Sequence, residues 1–392
     1  MSEAPDRTTD APTPRGACPE CLRHSWLLAQ LSPRLGYHAR GRDRLLALLA
    51  LEDDQLIQAI GGRHRRELRG RYARFKPEWV RSSPGVQRIC RHRQGYPRGL
   101  VQAHERAPWM LHVASGAAGR LQALSTTPTV AIVGSRRATD YGIEIARSLA
   151  RGLSASGVSV AGSLSDGIAV AAQEGALEAG GNTLTVLAGG LDVACPARRR
   201  ALHERLLESG CVVAELPCGR KPRDWCYPAR ERIVVGLAQL TIVVEAEEDP
   251  RELRGARVAR ALGRTVAAVP GRITSPASRG THALLIEGAS LVRGAEDALE
   301  LLYGGEQPRA QRGPRQSPDT AVSTAALEPR LRTTLEQVGA GKDTPAKLSA
   351  TSADAGETLL ALTELELMGL LTRGDSGRYV PRQSLAGLNG RA

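Results

Sequence analysis

Apolar residues follow two alternating spacings through the middle of the chain, and this alternation predicts a parallel sheet covered by helices. Longer segments, for example Asp140 to Ala155, have apolar residues three and four positions apart, as helices do. Short apolar runs typical of buried strands lie between them, at 130–133, 158–161, 183–188, 212–216, 240–245 and 265–269. Strands buried on both faces and joined by helices form a doubly wound parallel sheet. We therefore predict an α/β, Rossmann-like domain over residues 126–303.

The segments that flank this domain have helical patterns. Over residues 17–125, leucines recur at helical spacing until Gly61-Gly62 ends a helix, so we predict an N-terminal helical domain of the SAM or helix-hairpin-helix type. Residues 304–322 are rich in Gly, Pro, Gln and Arg and are predicted to be a linker. Beyond it, amphipathic stretches and a Gly-containing hairpin predict a winged-helix domain over 323–385, contacting either DNA or protein. Residues 1–16 are polar and predicted to be a disordered tail.

Composition places the chain among cytoplasmic proteins. No apolar run among the 392 residues approaches the roughly 18 that a membrane helix needs, so we expect no membrane association. The first residues carry no apolar segment of the kind that a secretory signal has. Seven cysteines, an odd number spread along a long chain, do not form the pattern of a disulfide framework.

The charge balance indicates a nucleic-acid partner. Lysine and arginine number 53 against 41 aspartate and glutamate residues, which gives a formal net charge of +12. Arginine supplies nearly all of the surplus. A basic balance is the electrostatic pattern expected of a nucleic-acid-binding protein. A solvated surface encoded by a GC-rich genome is the alternative.

The loop after the first predicted strand is a candidate phosphate site. Gly134 allows a tight turn, Ser135 offers a hydroxyl, and Arg136 can grip a phosphate with two hydrogen bonds. The helix that follows would add free amides and the positive end of its dipole. The loop lacks the G-x-G-x-x-G pattern, so we expect no dinucleotide cofactor. An ordinary strand–helix turn with a surface arginine is the alternative.

Further arginines follow the later strands. The carboxyl ends of parallel strands meet at one edge of the sheet, so arginines in these loops would form a groove that follows a phosphate backbone. The candidates are Arg198, Arg199, Arg230, Arg232 and Arg279.

Several motifs in these loops occur in the order found in one known family. They are Val130 to Arg136, Gly175-Ala176-Leu177, Gly190-Leu191-Asp192 with Pro196, Glu215 with Pro217, Tyr227 to Ile233, Val269-Pro270-Gly271, and Gly280 through Gly288-Ala289. In this order the chain resembles the DprA/Smf family of DNA-processing proteins. The resemblance implies a homodimer, not an enzyme, that binds single-stranded DNA. It also implies that the protein loads the recombinase RecA and protects DNA taken up in transformation.

The chain departs from the family pattern at several positions. Asp166, Ala169 and Gln173 stand where the family usually has Arg, Asp and His, and Glu231 stands where Asn is usual. Asp166 and Glu231 are expected to repel phosphate, whereas Arg199, in place of another Asn, would partly compensate. We therefore expect a diverged member of the family with weakened DNA affinity.

Two other functions remain open. A LOG-type phosphoribohydrolase on the same scaffold would cleave nucleoside monophosphates, but its Pro-Gly-Gly-x-Gly-Thr loop is missing, since Pro270-Gly271 and Gly280-Thr281 lie too far apart. A degenerate scaffold that binds only protein partners is the third possibility.

A separate motif at the start of the chain is a candidate structural zinc site. Cys18 and Cys21 have the two-residue spacing that holds a tetrahedral metal, and Cys90 and His92 could complete the ligand set. Reduced cysteines without a ligand are the alternative.

Overall fold

A computed structural model describes most of the chain as two compact units, residues 1–305 and 306–392. The described residues are 16–38, 44–103, 107–114, 117–124, 126–304, 327–340, 342–349, 354–368, 370–373 and 378–381. The predicted tail (1–16) and linker (304–322) lie outside the described residues, apart from Gly16 and Gly304. Among the described residues, no helix combines the length and apolar character required to cross a bilayer.

One sheet of nine strands organises the described part of the first unit. Its strands are β1 (Val86–Cys90), β2 (Met110–Ala114), β3 (Thr129–Val133), β4 (Ser159–Ser163), β5 (Thr183–Leu187), β6 (Cys211–Ala214), β7 (Leu240–Val243), β8 (Thr265–Ala268) and β9 (Ser290–Leu291). Their order across the sheet is β1-β2-β6-β5-β4-β3-β7-β8-β9. The strands from β3 to β9 pair in parallel, whereas β1 and β2 are antiparallel to their neighbours.

Helices cover both faces of this sheet, and the predicted doubly wound fold is confirmed. The described helices of this unit are α1 (Pro19–His38), α2 (Arg44–Leu49), α3 (Asp53–Ile60), α4 (Arg65–Ala73), α5 (Arg98–Gln102), α6 (Ala118–Leu124), α7 (Asp140–Ala155), α8 (Ile168–Glu178), α9 (Arg200–Ser209), α10 (Cys226–Leu237), α11 (Arg254–Ala261), α12 (Arg279–Ile286) and α13 (Ala295–Tyr303). Val130 and Ile132 of β3 lie in one buried cluster with Leu149 of α7. Ala131 lies in the opposite cluster with Val235 of α10. Successive residues of a strand point to opposite faces, so an almost entirely apolar β3 supplies both cores.

The expected separate helical domain over residues 17–125 is wrong, because this region supplies two strands to the central sheet. β2 pairs with β6 in antiparallel fashion, and β1 pairs with β2 at the outer edge. All five residues of β2 are buried, so its sequence shows no alternation that would distinguish it from a helix segment. Helix α1 joins the same body through Trp225, whose Nε1 donates to the Ser32 hydroxyl at 3.1 Å.

The second unit contains three described helices followed by a two-stranded antiparallel ribbon. The elements are α14 (Pro329–Gly339), α15 (Pro345–Leu348), α16 (Asp354–Leu367), β10 (Leu371–Arg373) and β11 (Tyr379–Pro381). Leu335, Leu362 and Tyr379 are buried together in its core. This order of elements is the one expected of a winged-helix domain, and the assignment over 323–385 stays a prediction. The residues predicted to turn the ribbon, 374–377, are outside the described residues.

Close packing of α7 on α8 leads to a test of the fold. A Cβ atom added at Gly175 of α8 would overlap the backbone carbonyl oxygen of Arg147 in α7. A backbone atom cannot rotate away as a side chain does, so Gly175→Ala should lower the free energy of unfolding by about 1–3 kcal/mol. Chemical denaturation measures this change.

Gly70→Ala is the matched control in the interior of another helix, α4. The nearest atom to a Cβ there is the end of the flexible Arg74 side chain, at 4.0 Å. This variant should gain roughly 0.5–1 kcal/mol, because alanine has the higher helix propensity. Equal denaturation midpoints for the two variants would contradict the close approach of α7 and α8.

Candidate nucleic-acid interface

A cleft of about 870 Å³ lies at the carboxyl edge of the sheet, at the ends of β3, β4 and β7. The chain runs outward from β3 to β4 on one side and later returns to place β7 on the other side. Ligands of open parallel sheets bind where the strand order reverses in this way. The lining comes from the loop after β3, the end of β4, the loop after β7, and helices α10 and α11. In the first three of these segments the lining residues are 134–137, 162–163, 165–166, 247, 249 and 251–252.

The Gly134 loop enters this cleft, but its polar groups already have partners. A Cβ on Gly134 would lie 2.5 Å from the carbonyl oxygen of Glu245, so only glycine allows this approach. The backbone N–H of Ser135 donates to that carbonyl at 2.7 Å. The buried Ser135 hydroxyl donates to Glu252 at 3.1 Å and accepts from the N–H of Arg137 at 3.1 Å. Ser135 therefore fixes the loop and does not offer its hydroxyl to a phosphate.

The amino end of α7 is occupied by a carboxylate of the protein itself, contrary to the expected free amides. Glu245, just after β7, accepts from the N–H of Thr139 at 2.8 Å and from its hydroxyl at 2.6 Å. The Thr139 hydroxyl in turn caps the helix by accepting from the N–H of Gly142 at 3.2 Å. Burial raises the pKa of Glu245, and the hydrogen bonds from Thr139 oppose that shift. An incoming phosphate must therefore be held by side chains rather than by this helix end.

Two arginines of the Gly134 loop are available to hold a phosphate. Arg136 and Arg137 line the cleft, and both are exposed. Neither guanidinium forms a salt bridge with a carboxylate of the described residues. Most of the other arginines around the cleft do form one. A ligand can therefore bind these two guanidinium groups without first breaking a salt bridge of the described residues.

Arg230 is held deeper in the cleft. The residue is 8% exposed, and Nη2 donates to the Ser165 hydroxyl at 2.8 Å. The guanidinium carbon lies 5.7 Å from the centre of the Tyr227 ring, which is 40% exposed and also lines the cleft. Burial lowers the pKa of Arg230, but an arginine stays charged at neutral pH. Arg230 and Tyr227 together provide a cation beside an aromatic face.

Arg198 and Arg199 lie at the rim and share one carboxylate. Their guanidinium groups approach Asp166 at 2.7 and 2.6 Å, and these hydrogen bonds lower the pKa of Asp166. Asp166 lines the cleft, whereas the two arginines do not. The two arginines thus offset the expected repulsion between Asp166 and phosphate. Asp166 in turn holds both guanidinium groups in place.

Arg232 is wrong as a DNA contact, because it is buried behind the cleft. Its side chain is 1% exposed and forms a bidentate pair with Glu215, with distances of 2.5 and 3.1 Å. A third hydrogen bond, of 2.7 Å, goes to the carbonyl of Ala229. Arg232 and Glu215 come from different elements, and nothing in their sequence positions indicates that they pair. Arg232 supports α10 and cannot reach a ligand.

Arg279 also falls outside the predicted groove. It is exposed as the first residue of α12, but it does not line the cleft. The next residue, Gly280, packs so closely on the carbonyl oxygen of Glu247 that a Cβ would overlap it. The start of α12 thus packs against the loop that contains Glu247, and Arg279 is not part of the cleft lining.

Sequence reasoning missed two arginines of the lining, and it did not show which carboxylates they face. Arg251 pairs with Asp249 at 2.8 Å, and Arg254 approaches Glu231 at 3.5 Å. Burial raises the pKa of Glu231. The position of the two arginines after β7, across the switch point from Gly134, is the signal that could have found them. The charged lining consists of five arginines and six carboxylates: Arg136, Arg137, Arg230, Arg251, Arg254, Asp166, Asp224, Glu231, Glu247, Asp249 and Glu252.

Two of the departures from the family pattern have structural explanations. Gln173 is fully buried in α8, where it accepts from the hydroxyl groups of Thr183 and Thr185 on β5. It joins a helix to the sheet and faces no ligand. Ala169 lines the cleft, so the usual aspartate would add a further negative charge there.

The structure also brings together Cys18, Cys21, Cys90 and His92, the residues of the candidate metal site. They converge where α1 begins and β1 ends.

The fold and the cleft define a Rossmann-like protein with a switch-point cleft that presents arginines, and comparisons with known proteins give its family. A sequence model of the DNA recombination-mediator protein A family matches residues 87–303. The chain therefore belongs to this family, in agreement with its resemblance to DprA/Smf proteins. Protein Smf of Escherichia coli is 36% identical over 264 residues, which cover 66% of this chain and 69% of that protein.

A crystal structure of DNA processing protein A from Streptococcus pneumoniae shares the fold. It has a TM-score of 0.57 and 29% identity, covering 71% of this chain and 95% of that one. A protein of Mycobacterium tuberculosis that carries the DprA name is 42% identical over 184 residues, which is 46% of this chain. The chain matches 47% of the length of that relative.

The buried position of Arg232 leads to a prediction. Arg232→Ala removes one partner of a buried ion pair and leaves Glu215 without its counter-charge. We expect the free energy of unfolding to fall by about 3–5 kcal/mol. Thermal and chemical denaturation measure the change. A variant as stable as the parent would show that Arg232 has no supporting role.

Proposed function

We propose that this chain binds single-stranded DNA along the switch-point cleft, as a DNA-processing protein. The observation that carries the proposal is the pair of exposed arginines, Arg136 and Arg137, which have no salt-bridge partner among the described residues. Guanidinium groups bind phosphate with two parallel hydrogen bonds. Arg198 and Arg199 at the rim add two further cations, which share the carboxylate of Asp166. The relation to Smf and DprA proteins supports the assignment.

The aromatic group in the cleft favours a single strand over a duplex. Proteins that bind single strands combine cations along the backbone with aromatic rings on which bases stack. Tyr227 supplies such a ring, with Arg230 held beside it. Bases that are already paired and stacked in a duplex cannot reach this ring. The binding is accordingly tighter to a single strand and has little sequence preference.

We further propose RecA loading and a homodimer, both supported by the family resemblance. For the homodimer, two exposed apolar side chains near the outer strand β9 add support: Ile286 is 87% exposed and Leu291 is 50% exposed. A second copy of the chain would cover such groups. Stimulation of RecA filament formation on single-stranded DNA tests the first part, and sedimentation tests the second. We assign no catalytic role.

The preference for single strands is tested with labelled oligo-dT and a blunt duplex of the same length at matched salt. The single strand should bind more tightly, because both the backbone contacts and the stacking on Tyr227 are open to it. Equal or tighter duplex binding would refute the proposed mode. Release of adenine from AMP by the same preparation would instead support a phosphoribohydrolase.

Arg136→Ala should weaken binding without affecting folding. The side chain is exposed, so its removal eliminates a phosphate contact and creates no cavity. The logarithm of affinity should fall less steeply with the logarithm of salt concentration, by about 0.7 for each phosphate that is no longer neutralised. Fluorescence anisotropy at several salt concentrations measures the slope, and the melting temperature reports on folding.

Arg151→Ala is the matched control, toward the far end of the helix that follows the loop. Arg151 is half-exposed, pairs with Glu178 at 3.1 Å and does not line the cleft. Its substitution removes the same charge from the protein. If the two variants change affinity and slope equally, binding depends on net charge and the cleft is not the site.

Asp166→Asn should tighten binding at low salt. The amide keeps the size of the side chain but removes the charge that holds Arg198 and Arg199. The two guanidinium groups can then turn to phosphate, and the salt dependence should become steeper. Unchanged or weaker binding by a variant of normal stability would exclude these rim residues from the DNA path.

A further inference from the structure

Four metal-binding side chains converge at the outer edge of the sheet, away from the cleft. His92 Nδ1 lies 3.4 Å from the sulfur of Cys18 and 3.5 Å from the sulfur of Cys21. The sulfurs of Cys18, Cys21 and Cys90 all lie within 4.8 Å of one another. These residues come from two segments that are distant in sequence, so the fold itself brings them together.

The spacing agrees with that of ligands around a tetrahedral zinc ion. Zinc bonds of about 2.3 Å to sulfur and about 2.0–2.1 Å to nitrogen place neighbouring sulfur and nitrogen ligands roughly 3.5 Å apart. The two sulfur–nitrogen distances in the structure, 3.4 and 3.5 Å, match this value. An ion between Cys18, Cys21 and His92 fits these distances, and the sulfur of Cys90 lies within 4.8 Å of both of the other sulfurs.

We propose that Cys18, Cys21, Cys90 and His92 bind one structural zinc ion. Three thiolates and an imidazole are a typical ligand set of closed, four-coordinate zinc sites, which leave no position for substrate. A disulfide would use only two of the three thiols and give no role to the imidazole. Glu20 approaches the same imidazole nitrogen at 3.8 Å, but it is exposed, and thiolates are preferred zinc ligands.

The surroundings fit thiolate ligands. The backbone N–H of Cys18 donates to the sulfur of Cys90 at 3.4 Å. Hydrogen bonds to ligand atoms from the outer shell orient those atoms and stabilise their charge. The proposed centre would carry one net negative charge, and Arg91 and Arg93 flank His92 in sequence.

The zinc ion joins the N-terminal helix to the edge of the sheet. Cys18 and Cys21 lie at the start of α1, whereas Cys90 ends β1 and His92 lies in the following turn. β1 is the outermost strand and pairs with β2 alone. A metal that binds only the folded arrangement adds its binding free energy to folding. The ion thus holds an edge strand and the helix beside it in place.

Metal analysis of the full chain, purified without chelator, tests the proposal. We expect about one zinc per chain, since the four residues form a single four-coordinate site. Cobalt added to protein stripped of metal should give the absorption of a tetrahedral site with thiolate ligands. Removal of zinc should lower the melting temperature, and zinc added back should restore it.

Variants separate a site from adventitious metal. His92→Ala changes a partly exposed side chain and should weaken zinc affinity by at least about 10- to 100-fold, while His92→Cys should retain the ion as a fourth thiolate. Cys195→Ser is the matched control, because Cys195 is a free cysteine outside the cluster. It should leave the zinc content unchanged.

Three results would overturn the proposal. The first is the absence of bound metal even after incubation with zinc. The second is equal zinc content in His92→Ala and Cys195→Ser. The third is a mass lower by two hydrogen atoms in freshly reduced and then air-exposed protein with no zinc uptake, which would identify a disulfide. Loss of DNA binding has no bearing on these readouts, so the zinc site and the cleft are tested independently.

Discussion

The carboxylate of Glu245 is the interaction on which the centre of the cleft depends. Glu245 follows β7 and accepts hydrogen bonds from Thr139, the residue that caps α7 after β3. It therefore links the ends of β3 and β7, the neighbouring strands at the switch point. Its backbone carbonyl also accepts from Ser135 and leaves room only for glycine at position 134. One residue therefore fixes the loop that presents Arg136 and Arg137. The same residue fills the helix end at which a phosphate would otherwise bind.

Because of this arrangement, a phosphate would be bound by side chains and not by backbone amides. Where helix amides bind an anion, the site is rigid and bears a partial charge. Here the cations are guanidinium groups, and most of those around the cleft are already paired with carboxylates. Each paired arginine must leave its carboxylate before it can contact a DNA phosphate. DNA binding should therefore depend on salt concentration and on individual acidic residues.

The N-terminal region forms part of the central sheet and is not a separate domain. β1 and β2 extend the sheet beyond β6, and Trp225 before α10 packs in one core with Leu27 and Leu31 of α1. The cysteine and histidine cluster lies at the outermost point of this extension. An edge strand pairs on one side only and is the part of a sheet that opens most readily. A metal ion at that position would stabilise the most weakly held strand of this extension.

The sequence by itself determined the parallel sheet, because strands buried on both faces need apolar residues at successive positions, as in Val130 to Val133. It also determined the order of the loops at the carboxyl edge and thereby the place of the cleft. The two-residue spacing of Cys18 and Cys21 indicated a candidate metal site, and the tertiary structure brings Cys90 and His92 close to them.

Only the tertiary structure decided which charged side chains are available to a ligand. Arg136 and Arg232 are equally basic in the sequence, yet one is exposed and the other is buried against Glu215. Likewise, no pattern showed that Glu245 would occupy the end of α7 or that Asp166 would hold two arginines. Secondary structure follows from neighbours along the chain, whereas the partner of a charge is set by contacts between residues that are distant in sequence.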